Sequence, residues 1–162
     1  MNNSSASATS ITQCLQSEKA AMHQLTALLK DEETALVDND IESLNKAISA
    51  KNDLVRTMSD LERQRNLLLQ NLGYSDPASS LPDYLRSELA DNAVKELWDG
   101  ILALSAEAKE NNRTNGLLIS RKLSQNQAAL SIFQQGNPTA SLYGPNGQSS
   151  IQSTPIKGLI VR

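Results

Sequence analysis

Residues 36–44 read LVDNDIESL, and this stretch decides how the first half of the chain folds. At its centre, Asp38-Asn39-Asp40 supplies three short polar side chains that compete with the helical backbone and favour helix caps. Residues 1–72 contain neither Gly nor Pro, so no other break is marked there. The stretch therefore predicts an antiparallel hairpin of two helices, with Asp40 as the N-cap of the second. One unbroken helix over residues 11–72 is the alternative.

The first predicted helix carries one apolar face that is interrupted twice by acid. Ser10 and Gln13 have the spacing of a capping box, which places the start of the helix near Ile11. From there, the residues of one face recur with alternating gaps of four and three: Ile11, Leu15, Glu18, Met22, Leu25, Leu29, Glu32 and Leu36. This heptad-like spacing is typical of a helix that packs along another helix. Residues 1–10 are predicted to be a disordered N-terminus.

The second and third predicted helices also carry apolar faces. The second follows Asp40 and ends at Gly73, which is its C′ residue. After a connector rich in Gly, Pro and Ser, a short helix is expected over residues 83–89. The third helix extends over residues 93–135 and ends at Gly136-Asn137-Pro138. One face of the third helix carries this series: Leu97, Ile101, Leu104, Ala108, Asn111 or Asn112, Asn115, Ile119, Leu123, Asn126, Leu130 and Phe133.

Three long helices with apolar faces have one economical arrangement, in which each face is buried against the other two helices. We therefore expect an all-α fold: a long antiparallel three-helix bundle, made of a helical hairpin and a long third helix, over residues 1–135. A dimeric coiled coil is the competing architecture. Residues 136–162 hold seven of the twelve Gly and Pro residues and no acid, so we expect a flexible tail. Apolar residues spaced through this tail are typical of a segment that orders on a partner, although a frayed C-terminus has the same composition.

Charge is distributed unevenly along the chain. Residues 1–110 hold all 18 acidic residues and ten of the 15 basic ones, whereas residues 111–162 hold five basic residues and no acid. A body this acidic argues against nucleic acid as a partner. The sequence has no run of about 18 apolar residues, so we expect a protein that is peripheral to a membrane at most. The single cysteine and the lack of signal-peptide features at the start lead us to expect a cytoplasmic protein.

Residues that could carry catalysis or bind a metal are sparse. His23 is the only histidine, and it lies nine residues from the only cysteine, Cys14, so neither a metal site nor an activated thiolate is expected. Carboxylates cluster at residues 31–33 and at Glu107 and Glu110, where solvated helix faces explain them better than a general acid–base pair. Gly-rich phosphate loops and nucleophile motifs are missing from the sequence. We therefore expect no enzyme activity, no metal and no cofactor.

The C-terminal half of the third helix mixes amides with apolar residues. Asn115 lies on the apolar face and is followed by Gly116. An Asn at a packing position fixes the register of a bundle at some cost in stability. Alternatively, this half is not covered by the bundle, and its apolar residues form a surface suited to the amphipathic helix of a partner. The residues alone leave both alternatives open.

Four segments carry a resemblance to a known family. ETALVDNDIESL at residues 33–44 and LERQRNLL at residues 61–68 fall in the predicted hairpin. NRTNGLLI at residues 112–119, with its N-x-x-N-G pattern, and LYGPNG at residues 142–147 are more specific, and Trp98 fits as well. In this order the segments resemble the FlgN family, which comprises bacterial flagellar type III export chaperones.

The resemblance covers about residues 15–162 and implies a cytoplasmic chaperone for flagellar hook-associated proteins, which form the hook–filament junction. Such chaperones bind the C-terminal helical segments of the junction proteins, prevent their premature association and deliver them to the type III export gate. The implied client-binding residues lie in the C-terminal half of the third helix: Asn115, Leu118, Ile119, Leu123, Leu130 and Phe133. The resemblance also implies docking to the cytosolic domain of the export gate through Tyr143, with Leu142 and Gly144 shaping the turn.

A second function remains open beside this one. A non-catalytic coiled-coil or helical-bundle adaptor, or a structural oligomer, would use the first two helices for self-association. Neither function assigns a role to residues 1–9.

Overall fold

The computed structural model of the chain describes residues 2–76 and 78–135, with side chains described between residues 9 and 134. Four helices account for most of these residues: α1 (Asn2–Asp38), α2 (Ile41–Asn71), α3 (Ser80–Arg86) and α4 (Asn92–Gln135). The part of the chain that the structure describes contains no strand, so the all-α prediction is confirmed for it. The chain divides into a first unit, residues 1–120, and a second unit that begins at residue 121, within α4.

The break between α1 and α2 lies where the sequence predicts it. Asn39 adopts a left-handed conformation with φ of 57°, which ends α1. Asp40 then caps α2: its Oδ1 accepts from the Ser43 backbone N–H at 3.0 Å, and its Oδ2 accepts from the Ser43 hydroxyl at 2.6 Å. These hydrogen bonds stabilise the charged carboxylate and lower the pKa of Asp40. At the other end of α2, Gly73 has φ of 95°, as expected for a C′ glycine.

Two predicted helix starts are wrong by several residues. α1 begins at Asn2 rather than near Ile11, so Ser10 lies inside the helix and does not cap it. The Ser- and Ala-rich residues before Ile11 include no Gly or Pro, so no strong helix breaker opposes an extension of the helix. α3 begins at Ser80 rather than at residue 83, because Pro82 is tolerated in the first turn, where its missing N–H has no intrahelical acceptor.

The core of the first unit lies at the end of the hairpin that is remote from Asp40. It joins residues of all four helices and of the loop before α4: Ile11, Leu15, Leu69, Leu81, Tyr84, Ala90, Val94 and Ile101. The Tyr84 ring is fully buried and meets Tyr74 edge to face, with the ring centroids 5.9 Å apart. The short helix α3 therefore completes the core that α1, α2 and α4 begin.

Contacts between the long helices define their directions within the first unit. Glu18 pairs with Arg65 and Glu32 pairs with Lys51, so α1 and α2 are antiparallel. Lys30 Nζ lies 2.7 Å from Glu107 Oε1, and the Lys19 side chain lies over Gly100, so α4 runs in the same direction as α1. These contacts support the predicted antiparallel bundle. None of the described helices is both long and apolar enough to cross a membrane.

Candidate functional site

A buried ion pair joins α1 to α2 at Glu32. Both carboxylate oxygens of Glu32 accept from Lys51 Nζ, at 2.7 and 2.8 Å, and Glu32 is almost entirely shielded from solvent. The prediction that this acid lies on a solvated helix face is wrong for Glu32. Its position in the apolar series of α1 explains the burial, and the Lys51 ammonium compensates the charge.

Asn115 connects α4 to this ion pair. Its side chain is only 2% exposed, and its Nδ2 donates to the backbone oxygen of Leu29 at 2.8 Å and to Glu32 Oε2 at 3.1 Å. Asn115 therefore fixes the position of α4 against α1, which favours the register alternative of the sequence analysis. The side chain is shielded from solvent in the structure, and its predicted contact with a client stays a prediction.

A second polar layer lies towards the core. The Arg65 guanidinium pairs with the Glu18 carboxylate and stacks 5.6 Å from the centroid of the Trp98 ring on α4. Burial raises the pKa of Glu18, although Arg65 opposes the change. Together, the two polar layers join α1 to both of its neighbours.

Cys14 lies beside this second layer. Its thiol is buried 3.4 Å from the Leu61 backbone oxygen and 3.8 Å from Glu18 Oε1. Burial, with the nearby Glu18 charge, raises the pKa of the thiol to about 11. The thiol is therefore protonated near neutral pH and is a poor nucleophile. His23, by contrast, is exposed on α1.

The apolar series of α4 divides into a buried part and an exposed part. Ile101, Ala108 and Asn115 are buried. Of the other residues predicted to bind a client, Leu118 is half-buried, whereas the remaining members of the set are exposed: Ile119, Leu123, Leu130 and Phe133.

The exposed residues from position 123 onward lie in the second unit and include large side chains. Phe133 is 80% exposed and Leu130 is 61% exposed. With Leu123 they recur at intervals of seven and three residues, which places the three on one side of the helix. We call this set, Leu123, Leu130 and Phe133, the C-terminal apolar face. Ile132 is also exposed, at 71%, but it lies on another side of the helix.

The residues predicted to dock to the export gate, Leu142, Tyr143 and Gly144, lie outside the described residues. The same is true of the rest of the predicted tail, residues 136–162.

Comparisons with known proteins bear on the family of this chain. The family described as FlgN protein matches residues 1–151. The chain belongs to the FlgN family. A curated relative, the flagella synthesis protein FlgN of Proteus mirabilis, is 27% identical over 141 residues, which cover 86% of this chain and 89% of that protein. No solved structure matches the chain. The FlgN resemblance found from the four sequence segments is thus confirmed.

The buried polar layers were not predicted, although part of their signal is visible in the sequence. Glu18 and Glu32 interrupt the apolar series of α1 and are 14 residues apart. Their partners, Arg65 and Lys51, are also 14 residues apart on α2. Matching intervals of opposite charge on two antiparallel helices could have predicted both ion pairs.

Proposed function

We propose that this member of the FlgN family is a cytoplasmic export chaperone for flagellar hook-associated proteins. Membership of the family and the name of the Proteus relative support a role in flagellar assembly. The proposal adds the client and the destination: the protein binds C-terminal helical segments of junction proteins, prevents their premature association and delivers them to the type III export gate. This work is binding and release, without catalysis.

The observation that carries the proposal is the C-terminal apolar face. Isolated apolar side chains are common on protein surfaces, but three at helical spacing resemble the surface that receives an amphipathic helix. Burying one Leu or Phe side chain contributes about 1.5–3 kcal/mol. Covering Leu123, Leu130 and Phe133 with a client helix would therefore supply a large part of the binding free energy, reduced by the cost of ordering.

Asn115 has a different role in this proposal from the one the resemblance implies. Its hydrogen bonds to Leu29 and Glu32 support a bundle in which α1, α2 and α4 pack as an antiparallel three-helix scaffold. Ile119 is exposed beyond it and Leu118 is half-buried, so both remain candidates for client contact. We infer that Asn115 positions the helix while the exposed residues make contact.

A matched pair of variants tests client binding. Leu130→Ala should weaken the complex with a C-terminal fragment of a junction protein about tenfold, because it removes a side chain that the client would bury. Ile132→Ala removes a similar side chain about 200° away around the same helix and should leave the affinity unchanged. Isothermal titration calorimetry with the full chain measures both. Equal effects of the two changes, or no binding by the unchanged protein, would contradict the proposal.

The export-gate step has its own test. Tyr143 belongs to the LYGPNG segment, and the resemblance to the family supports its use in docking. Tyr143→Ala should retain client affinity and lose most of its affinity for the cytosolic domain of the gate. Loss of both affinities together would show that docking and client binding are not separate functions.

A further inference from the structure

A second apolar surface lies in the first unit, and its residues are distinct from those of the C-terminal apolar face. It is a groove of about 400 Å³ that is lined by residues of α1, α2 and α4. We call it the α2–α4 groove and define it by six of its apolar lining residues: Met22, Leu25, Val55, Met58, Trp98 and Leu102. The two Met side chains are flexible and can adapt to the shape of an occupant.

Two charged groups that line the groove pair with each other. Glu18 and Arg65 form the ion pair described above, and Arg65 also stacks on Trp98. The charges of these two side chains therefore compensate each other. At the mouth, Val55 and Leu102 are about half exposed, at 52% and 49%. The groove therefore offers an apolar interior whose sides are accessible from outside.

The spacing of exposed residues on α2 indicates what kind of element fits. Ile41, Ile48 and Val55 are exposed at intervals of seven residues along one side of this helix. Val55 lines the groove, whereas Ile41 and Ile48 continue the same side of α2 beyond it. A row with this interval is complementary to another helix, as in coiled coils. The row extends over about 21 Å, which corresponds to about four turns of a packed helix. An extended peptide or a small molecule would not use the whole row.

The charge of Glu62, an exposed acid that lines the groove, indicates which residues an occupant should carry. Glu62 follows Val55 by seven residues and lines the same groove with an exposed carboxylate. The nearest cation, Arg65, lies 3.9 Å away and is engaged with Glu18 and Trp98. A Lys or Arg beside the apolar residues of an incoming helix would therefore complement Glu62.

We propose that the α2–α4 groove binds a second amphipathic helix of the client, one that carries a basic residue next to its apolar face. This inference rests on the proposed function, because the occupant belongs to the same client. A second copy of this chain fits less well, because it would bring a second acidic body against the first.

The direct test uses Trp98, the only tryptophan of the chain, which lines the groove. A client fragment without tryptophan should change the fluorescence emission of Trp98 in the full chain as the complex forms. An unchanged emission in a complex that forms normally would overturn the groove proposal and leave the proposed function standing. A change that depends on protein concentration without client would instead identify a self-interface and would also overturn it.

Two matched pairs of variants locate the contact. Val55→Ser should weaken client binding about tenfold, whereas Leu67→Ser, at a position of α2 that is 56% exposed and outside the groove, should not change it.

Glu62→Lys should weaken binding about tenfold at low salt and less at high salt. Asp60→Lys makes the same change of net charge on another side of α2 and should have less than a twofold effect. If members of each pair behave alike, the groove is not the contact. Circular dichroism of each variant confirms that the helices are retained.

Failure of this proposal is distinguishable from failure of the proposed function. If Leu130→Ala weakens client binding and the groove variants do not, the client uses the C-terminal apolar face alone. If the unchanged chain binds no client, the proposed function itself is wrong.

Discussion

Between Val94 and Asn115, α4 contributes buried side chains to the first unit, whereas from Ile119 to Phe133 the members of the same apolar series are exposed. The two stretches have similar spacing and similar residue types. Periodicity therefore reports that a helix has an apolar side, but it does not report whether anything covers that side. In the first stretch the covering elements belong to this chain, and in the second we propose that the client supplies the cover.

The largest expected effect on stability comes from a change in the polar layer of Glu18 and Arg65. This layer contacts the covered stretch of α4 at Trp98. Arg65→Ala leaves the Glu18 carboxylate buried without its partner and removes the stacking on Trp98. We expect the free energy of unfolding to fall by about 3–5 kcal/mol, as for other broken buried ion pairs. Urea denaturation followed by circular dichroism measures it.

The neighbouring residue Arg63 provides the control for this change. It pairs with Asp60 at 3.1 Å on the exposed side of α2, so Arg63→Ala should cost about 0.5 kcal/mol or less. Similar losses for both arginines would mean that the layer at Glu18 does not stabilise the fold.

The next largest effect is expected from substitutions that compare the covered and exposed stretches of α4 directly. Ile101→Ala removes a buried core residue and should lower the free energy of unfolding by about 2–4 kcal/mol. Leu123→Ala removes an exposed residue of the same series and should change it by less than about 0.5 kcal/mol. Thermal unfolding of the free chain tests the pair. A large loss from Leu123→Ala would show that its side chain is covered in the free protein.

The smallest effect concerns Gly116, which lies next to Asn115 in α4. A Cβ atom added there would meet nothing within 4 Å, so Gly116→Ala should stabilise the chain by up to about 1 kcal/mol through helix propensity alone. Gly73→Ala is the contrasting change, because a φ of 95° strains any residue with a Cβ atom, and it should destabilise. If Gly116→Ala destabilises the chain, the folded structure requires a glycine at this position of α4.

Part of the fold was predictable because its signals are local. Asp38-Asn39-Asp40 predicted the break and the cap correctly, and Gly73 predicted the end of α2, since both depend on residues within one turn. The start of α1 was not predictable in the same way. A Ser–Gln spacing resembles a cap wherever it occurs, and only the continuation of the backbone shows that Ser10 is inside the helix.

The candidate site was predictable only in outline. The series from Ile101 to Phe133 was visible in the sequence, but the boundary between its buried and exposed parts depends on contacts between helices. Asn115 illustrates the difficulty, because the same residue at the same position suits either a register-fixing amide or a contact surface. Its hydrogen bond to the Leu29 backbone, on another helix, favours the register-fixing amide.

The two buried ion pairs also bear on how the hairpin folds. Glu18 and Glu32 on α1, and Arg65 and Lys51 on α2, are separated by the same interval, so both pairs close in one alignment only. If α2 slid by one heptad in one direction, Glu18 would face Met58, Glu32 would face Leu44, Lys51 would face Leu25 and Arg65 would face Ile11. Four charges would then lie buried against apolar side chains, at a cost of several kcal/mol each. An apolar seam alone would tolerate such a slip, so these charges select the native alignment of α1 and α2 against misaligned hairpins.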